Sequence, residues 1–328
     1  MSERIIEVRD LEYRYGDFKA VDGINFFVRE GEIFSFLGPN GAGKSTVINI
    51  LTTLLPMQKG SVTIAGCDLA AEPQEVRRAI GIVFQDETLD RDLTVNETLE
   101  LHGRIYSMPR VERRERIEEI VKLVELEEKK NVRTRYLSGG MKRRLEIGRG
   151  LMTRPKVLFL DEPTIGLDTQ TRRRLWEYIE RVNDSGTTIF LTTHYMDEAD
   201  LVSDWIDIVD HGKIIASGEP SNLKNALGND MIYLDTSDNS ATEDMLKGLK
   251  AVRGIKSTDQ GLVVTINTDG THCLPVIMNR LREKGININS VNLKKPTLDD
   301  VFVHYTGRDI RDSGAGRIHR PPQPKGGR

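Results

Sequence analysis

The sequence predicts an α/β fold built on a buried parallel sheet, followed by a smaller α+β unit. Three observations lead there. A complete G-x-x-x-x-G-K-[ST] pattern, Gly38 to Ser45, lies between the strand-like run Ile33 to Leu37 and the helix-like run Val47 to Leu51. Two further apolar runs, Val157 to Leu160 and Thr188 to Thr193, end on ionisable side chains, the pattern of buried strands whose carboxyl ends carry a site. Beyond residue 230 the periodicities follow the order βαββαβ.

At 328 residues the chain exceeds the roughly 250 to 300 at which one core stops growing, so two domains are expected. With 38% hydrophobic and 30% charged residues it has the composition of an ordinary globular protein. A net charge of −3 gives no bulk attraction to nucleic acid or anionic lipid. No apolar run reaches the roughly 18 residues of a membrane span, and Met1-Ser2-Glu3-Arg4 opens no signal peptide, so a cytoplasmic protein is expected. Cys67 and Cys273 lack metal-ligand spacing and are expected as reduced, packed thiols.

In chain order, Ile5 to Val8 and Ile24 to Val28 read as short strands flanking a turn at Gly16-Asp17. Tyr15, between them, can stack on a purine or simply pack. In the glycine-rich loop, Gly38, Gly41 and Gly43 let backbone N–H groups turn inward around an anion, with Asn40 and Ala42 between them. Lys44 supplies a point charge for outer phosphates, and the Ser45 hydroxyl, followed by Thr46, is a Mg²⁺ ligand candidate. Ser61 to Ala65 and Ile80 to Phe84 are further strands, the second running into Gln85. Thr94-Val95-Asn96-Glu97 is a capping box at a helix start, and Pro109 breaks the run that follows. Ile117, Ile120, Val121 and Val124 form a helical stripe. Glu112/Arg116, Glu118/Lys122 and Glu125/Lys129 are expected as i,i+4 pairs on its solvated face, which makes this an exposed helix rather than a nucleic-acid patch. Ser138 reads as the cap of a helix running to Arg154-Pro155; Gly139 and Gly140 leave two readings open, a capped start or a second anion site. Asp161 and Glu162 close an apolar strand and are expected on opposite sides of it, with His194 closing another.

In order and spacing, these pieces resemble the ATP-binding subunit of an ABC transporter over roughly Ile5 to Ser217. Gly38 to Thr46 match the Walker A loop, Gln85 the Q-loop, Leu137 to Met141 the signature, Val157 to Glu162 Walker B, Ile165 to Asp168 the D-loop, and His194 the switch histidine. Met141 departs from the commonest signature, which carries glutamine there. The runs Gly139 to Arg144 and Pro296 to Phe302 look most like the daunorubicin-resistance type of multidrug exporter ATPase.

The resemblance implies a P-loop NTPase core at 1–220, with a RecA-like sheet, an antiparallel β subdomain and a helical subdomain at about 86–155. A linker at 221–230 is expected next, then an accessory α+β domain at 231–306 whose order fits a ferredoxin-like sandwich, then a basic tail at 307–328 with six Lys/Arg against two Asp. It also implies ATP and Mg²⁺. Lys44 and the loop backbone would hold the phosphates, Tyr15 the adenine, and Ser45, Asp161 and Gln85 the metal. Glu162 would orient and deprotonate the attacking water, with Gln85 and His194 sensing the γ-phosphate. Ser138 and Gly140 would close over ATP held by an opposite subunit, and Asp168 would reach the nucleotide as well. The implied partners are a separately encoded membrane permease and a second copy of the chain, at the cytoplasmic face of the cell membrane, with no nucleic acid. The alternatives are a soluble ABC-type ATPase on ribosomes or nucleic acid, and a transporter of lipid or polysaccharide. The first usually carries two ATPase units or long coiled-coil insertions, neither visible here. A regulatory binder without hydrolysis would lack a base or a switch residue, and both are present.

Overall fold

β1 (Arg4–Tyr15) and β2 (Phe18–Arg29) turn at Gly16, φ 57°, and pair antiparallel along their whole lengths. They are longer than the sequence indicated because register shifts between Val8 and Leu11, and again near Glu12 and Arg14, break the alternation that marks a strand. This computed structural model describes residues 3–228, 230–258, 261–267 and 270–307, so all of the basic tail beyond Gly307 lies outside the described residues.

β3 (Ile33–Leu37), buried at every position, leads into α1 (Lys44–Leu51). β4 (Lys59–Ile64) and β5 (Cys67–Asp68) complete a four-stranded sheet of order β2-β1-β4-β5. α2 (Pro73–Ala79), with proline in its first turn, hands the chain to β6 (Ile80–Val83). A helical layer follows: α3 (Val95–Ile105), opened by the Thr94/Glu97 capping box, α4 (Arg110–Leu123), and α5 (Gly139–Leu151), capped by Ser138. α5 ends three residues sooner than expected, and Arg154 adopts φ 52° before Pro155. Then come β7 (Val157–Asp161), α6 (Thr169–Asp184), β8 (Thr188–Thr193), α7 (Met196–Val202), β9 (Trp205–Asp210) and β10 (Lys213–Gly218).

The second sheet runs β10-β9-β3-β8-β7-β6, parallel from β9 to β6 with β10 antiparallel at the edge. Phe34, Phe159 and Phe190 stack across it with centroids 5.2 Å apart in successive pairs, and Phe26 of β2 joins them 5.5 Å from Phe34. This aromatic layer welds the two sheets together. Pairing Leu37 with Thr193, Leu160 with Leu191 and Val83 with Leu160 aligns four carboxyl ends, so the segments after β3, β6, β7 and β8 emerge together.

The charged stretch around α4 differs from expectation. Arg116 is buried, and its Nη2 donates to the Leu151 carbonyl at 2.5 Å and its Nε to that of Met152 at 3.3 Å, placing a cation at the carboxyl end of α5. Its ion pair is with Glu119, while Glu118 pairs with Lys130 and Glu125 with Arg144 and Arg181. Packing against α5 chose which arginine face turned inward.

The expected linker holds a helix, α8 (Pro220–Asn225), because Leu223 and Leu227 are buried. β11 (Asp230–Thr236), α9 (Asn239–Lys247), β12 (Val252–Thr258), β13 (Gly261–Ile266), α10 (Gly270–Glu283) and β14 (Ile288–Lys294) follow. Their sheet, β12-β13-β11-β14, is antiparallel throughout, the ferredoxin-like order. Its core contains Cys273, whereas Cys67 packs against the core of the first sheet, so the two thiols sit in separate units. α11 (Leu298–Thr306) leaves that sheet: Leu298, Val301 and Phe302 pack with Leu37, Met196, Ala199, Ile206 and Ile208 beside the parallel sheet, and with Leu223 and Leu227. Among the described residues no helix is long and apolar enough to cross a membrane.

Within β9, Asp207 is 1% exposed. Its Oδ1 accepts from Trp205 Nε1 and Ser217 Oγ, but Oδ2 has no partner among the described residues. Burial pushes its pKa from 3.8 up to about 6. The folded chain therefore holds this proton more tightly than the unfolded chain, and the stability so gained is lost as pH rises from about 3.8 through about 6. Asp207→Asn should stabilise the protein on the order of 3 kcal/mol at pH 8 and progressively less towards pH 4, read from denaturant melts across that range.

Candidate nucleotide site

The loop after β3 is shaped by contacts that only glycine permits. A Cβ on Gly38 would lie 2.2 Å from the Val209 carbonyl oxygen, and one on Gly43, φ 106°, would lie 2.5 Å from that of Ala20. Gly38 N–H donates to Thr193 O at 3.2 Å, pinning the loop to the end of β8. Gly41 also has positive φ, 84°, Ala42 is buried beneath the loop, and Asn40 is exposed. Gly43 caps α1 without a side-chain hydrogen bond, and no acidic residue occupies the first turn. The free N–H groups and dipole of that helix end are therefore available to an anion. Ser45 is exposed and Thr46 half-buried on the same turn.

Lys44 is buried, and its Nζ donates to the carbonyls of Gly38 at 2.7 Å and Pro39 at 3.0 Å. It lies 3.4 Å from Glu162 Oε1. Burial lowers the lysine pKa, and Glu162 counters that shift. On the other side, His194 Nδ1 lies 3.1 Å from Glu162 Oε2. Burial would raise the Glu162 pKa, but the His194 hydrogen bond and the Lys44 charge together bring it below the ordinary carboxylate range. Asp161 behaves oppositely: burial raises its pKa although its Oδ1 accepts from Thr192 Oγ1 at 2.5 Å. The alternation expected for the two acids stops at Asp161, since β7 ends there and Glu162 has φ 44°.

Arg143 and Glu146 carry a task their sequence context did not signal. Buried Arg143 donates to the carbonyls of Phe84 at 2.6 Å, Pro163 at 2.8 Å and Asp161 at 3.2 Å, and pairs with buried Glu146 at 2.9 Å. Glu146 in turn accepts from Thr88 N at 2.8 Å. One turn of α5 thus ties together the segments that follow β6 and β7. An arginine in a charge-rich stretch reads as solvated, and only the packing of α5 under the sheet edge shows otherwise.

The remaining candidates lie apart. Gln85 is exposed two residues beyond β6. Tyr15 is 43% exposed at the end of β1, its ring 4.9 Å from Tyr13. Ser138 Oγ accepts from Met141 N at 3.3 Å, and a Cβ on Gly140 would meet Thr171 Cγ2 at 2.4 Å. Asp168 caps α6, accepting from Thr171 N at 3.0 Å and Thr171 Oγ1 at 2.6 Å. Ser138, Gly140 and Asp168 therefore share the junction where α5 and α6 begin, while Lys44, Glu162 and His194 converge at the sheet edge. Arg143→Met would leave Glu146 buried without its partner; it should destabilise the fold by roughly 3 to 5 kcal/mol, and Arg143→Met/Glu146→Met should recover part of that loss in denaturant melts.

The profile of the ABC transporter family matches residues 21–165, and that of the C-terminal domain of DrrA1-3-like ATP-binding proteins matches residues 218–306. The daunorubicin resistance ATP-binding protein DrrA3 of Streptomyces coeruleorubidus is 38% identical over 311 residues, 95% of this chain and 98% of its own. Among solved structures, cbiO1 of Clostridium perfringens, part of the ABC transporter complex cbiONQ, superposes with a TM-score of 0.64 at 28% identity, covering 75% of this chain and 96% of its own. An ATP-binding cassette solved as a dimer in a post-hydrolysis state with ADP and Pi gives a TM-score of 0.58 at 30% identity, covering 65% of this chain and 98% of its own. A phosphate-type loop at the edge of this sheet, and likeness over almost the whole length, lead to one conclusion: the chain belongs to the ABC transporter family, as an ATP-hydrolysing nucleotide-binding subunit with a DrrA-like C-terminal domain.

Proposed function

We propose that this subunit powers export of a drug or other amphipathic compound through a separately encoded membrane permease, acting at the cytoplasmic face of the cell membrane as a homodimer formed with ATP and Mg²⁺. The observation that carries the reading is the division of the site. Lys44, Glu162 and His194 meet at one sheet edge, whereas Ser138, Gly140 and Asp168 gather at a helix junction with none of their hydrogen bonds directed to that edge. A second copy placing its junction over the first copy's loop completes two sites at once. The cassette solved as a dimer with ADP and Pi supports this arrangement, and the name of the daunorubicin-resistance relative supports the substrate class.

The surroundings of each residue support the role proposed for it. Lys44 and the N–H groups of Gly41 to Thr46 bind the phosphates, and Tyr15 offers its exposed ring to the adenine. Ser45 hydroxyl and Asp161 carboxylate are hard oxygen donors of the kind Mg²⁺ takes and would hold the ion together with Gln85, and the ion would neutralise phosphate charge during transfer. Phosphate binding draws Lys44 from Glu162, leaving the His194 hydrogen bond to oppose the effect of burial on the carboxylate that serves as the base towards water. His194 holds Glu162 from the other side and reports on the γ-phosphate.

The permease needs a docking face, and the helical layer offers one. Leu101, Ile105, Tyr106 and Val111 expose 49%, 68%, 42% and 71% of their surfaces around the turn between α3 and α4.

Glu162→Gln should bind ATP normally, hydrolyse it about 10²- to 10⁴-fold more slowly, and accumulate as an ATP-bound dimer in size-exclusion chromatography. Normal turnover would remove Glu162 from the role of base. Ile105→Glu/Val111→Glu should abolish co-purification with the permease from membranes. In the purified complex, hydrolysis should rise with amphipathic drugs; a response only to lipid or polysaccharide precursors would overturn the drug-export reading.

A further inference from the structure

Helix α7 carries a carboxylate that the roles above do not use. Glu198 is 4% exposed, and burying a charge there is tolerable only if donors surround it. Its Oε1 accepts from Thr164 Oγ1 at 2.6 Å and lies 3.2 Å from Arg172 Nε, while Oε2 accepts from Thr193 Oγ1 at 3.1 Å. Arg172 Nε makes no hydrogen bond among the described residues, so that contact is an ion pair held by charge and position.

The three partners come from three parts of the site. Thr164 lies two residues after Glu162, Thr193 immediately before His194, and Arg172 in the first turn of α6, four residues after Asp168. A second path joins the same parts. The Arg172 guanidinium stands over the Tyr195 ring, 4.4 Å from its centroid, and that ring lies 4.1 Å from the His194 imidazole. Tyr195 N–H donates to Thr193 Oγ1 at 3.0 Å, closing the loop. The far side of α7 is held as well, since Met196 and Ala199 pack with Val301 and Phe302 of α11. A carboxylate fixed on every side cannot follow one segment without pulling the others.

We propose that Glu198 is a positioning residue for hydrolysis: it locks the Glu162 segment, the His194 segment and the first turn of α6 into one unit, so that the position of the Asp168 end of α6 sets the alignment of the Glu162–His194 pair. The proposal rests on assigning Glu162 and His194 to hydrolysis. Misplacing a catalytic group by about 1 Å costs on the order of 100-fold in rate without weakening substrate binding in proportion.

The test uses the full-length chain and compares Glu198→Gln, Arg172→Met, Arg172→Lys and the Glu198→Gln/Arg172→Met double variant. Turnover is measured under saturating ATP, affinity with a fluorescent ATP analogue, and folding by thermal melts. Glu198→Gln and Arg172→Met should each lower kcat about 10- to 100-fold with nucleotide Kd changed less than about twofold. The double variant should be no slower than the slower single one, because both break the same lock. Arg172→Lys, which keeps the charge, should recover part of the rate. Wild-type turnover in Glu198→Gln, affinity lost in step with rate, or multiplying losses in the double variant would each overturn the proposal. Should Glu198→Gln fail to fold, Arg172→Met decides by itself, since its half-buried side chain can be truncated without emptying the core, and wild-type turnover there overturns the proposal. Normal turnover in Glu162→Gln would indict the underlying assignment; a slow Glu162→Gln beside a normal Glu198→Gln would indict the positioning role alone.

Discussion

Lys44, Arg143, Asp161, Glu162 and Glu198 are buried along one edge of a sheet whose strands are mostly apolar, and that concentration of charge constrains everything around it. A buried ion costs several kcal/mol unless its partners are placed to meet it. Each of the five therefore has a defined set: carbonyls and Glu162 for Lys44, three strand-end carbonyls and Glu146 for Arg143, Thr192 for Asp161, Lys44 and His194 for Glu162, two threonines and Arg172 for Glu198. The partners come from α1, α5, α6, β7 and β8 and from the segments that follow β3, β6, β7 and β8, so the electrostatic requirement and the tertiary fold are one condition. The level register of the parallel strands makes it possible, because it brings four strand ends within reach of single side chains.

The same condition explains a division of labour between the sheets and the helices. Aromatic packing of Phe26, Phe34, Phe159 and Phe190 holds the two sheets as a rigid base with no polar group to satisfy. The helices instead reach the site through charge: α5 by Arg143 and Glu146, α6 by Arg172, α7 by Glu198. A rotation or shift of a helix is therefore felt as a change in how a buried charge is paired. That is a sensitive way to link the first turn of a helix to the Glu162–His194 pair. The return of α11 onto α7 brings the C-terminal unit into the same arrangement, as a brace on Met196 and Ala199 of the helix that carries Glu198.

Much of the site was legible in the chain itself. The loop glycines and Lys44, the two acids at the end of β7 and the histidine after β8 are local patterns, set by backbone sterics and by the apolar runs before them. Helix starts at Thr94 and Ser138 were legible for the same reason: a cap acts within three residues. The βαββαβ order after residue 230 also follows from local periodicity, and the antiparallel order β12-β13-β11-β14 is its expected outcome. Where local rules were applied to charge they failed. The expected i,i+4 pairs gave way to other partners, and Arg116 turned towards the open carbonyls at the end of α5, which satisfies more groups than an exposed pair does.

By itself, then, the sequence determined the glycine-rich loop, the residues at the strand ends, the element order and the family. The tertiary structure alone decided that Arg143, Arg116 and Glu198 are buried, that α8 fills the expected linker, and that α11 leaves its own sheet for the ATPase core. The physical reason is range. Backbone sterics, capping and periodicity act over a few residues and are written in consecutive letters. Whether a charged side chain faces water or the interior depends on carbonyls and hydroxyls tens of residues away, and those come together only when the sheets and helices have packed.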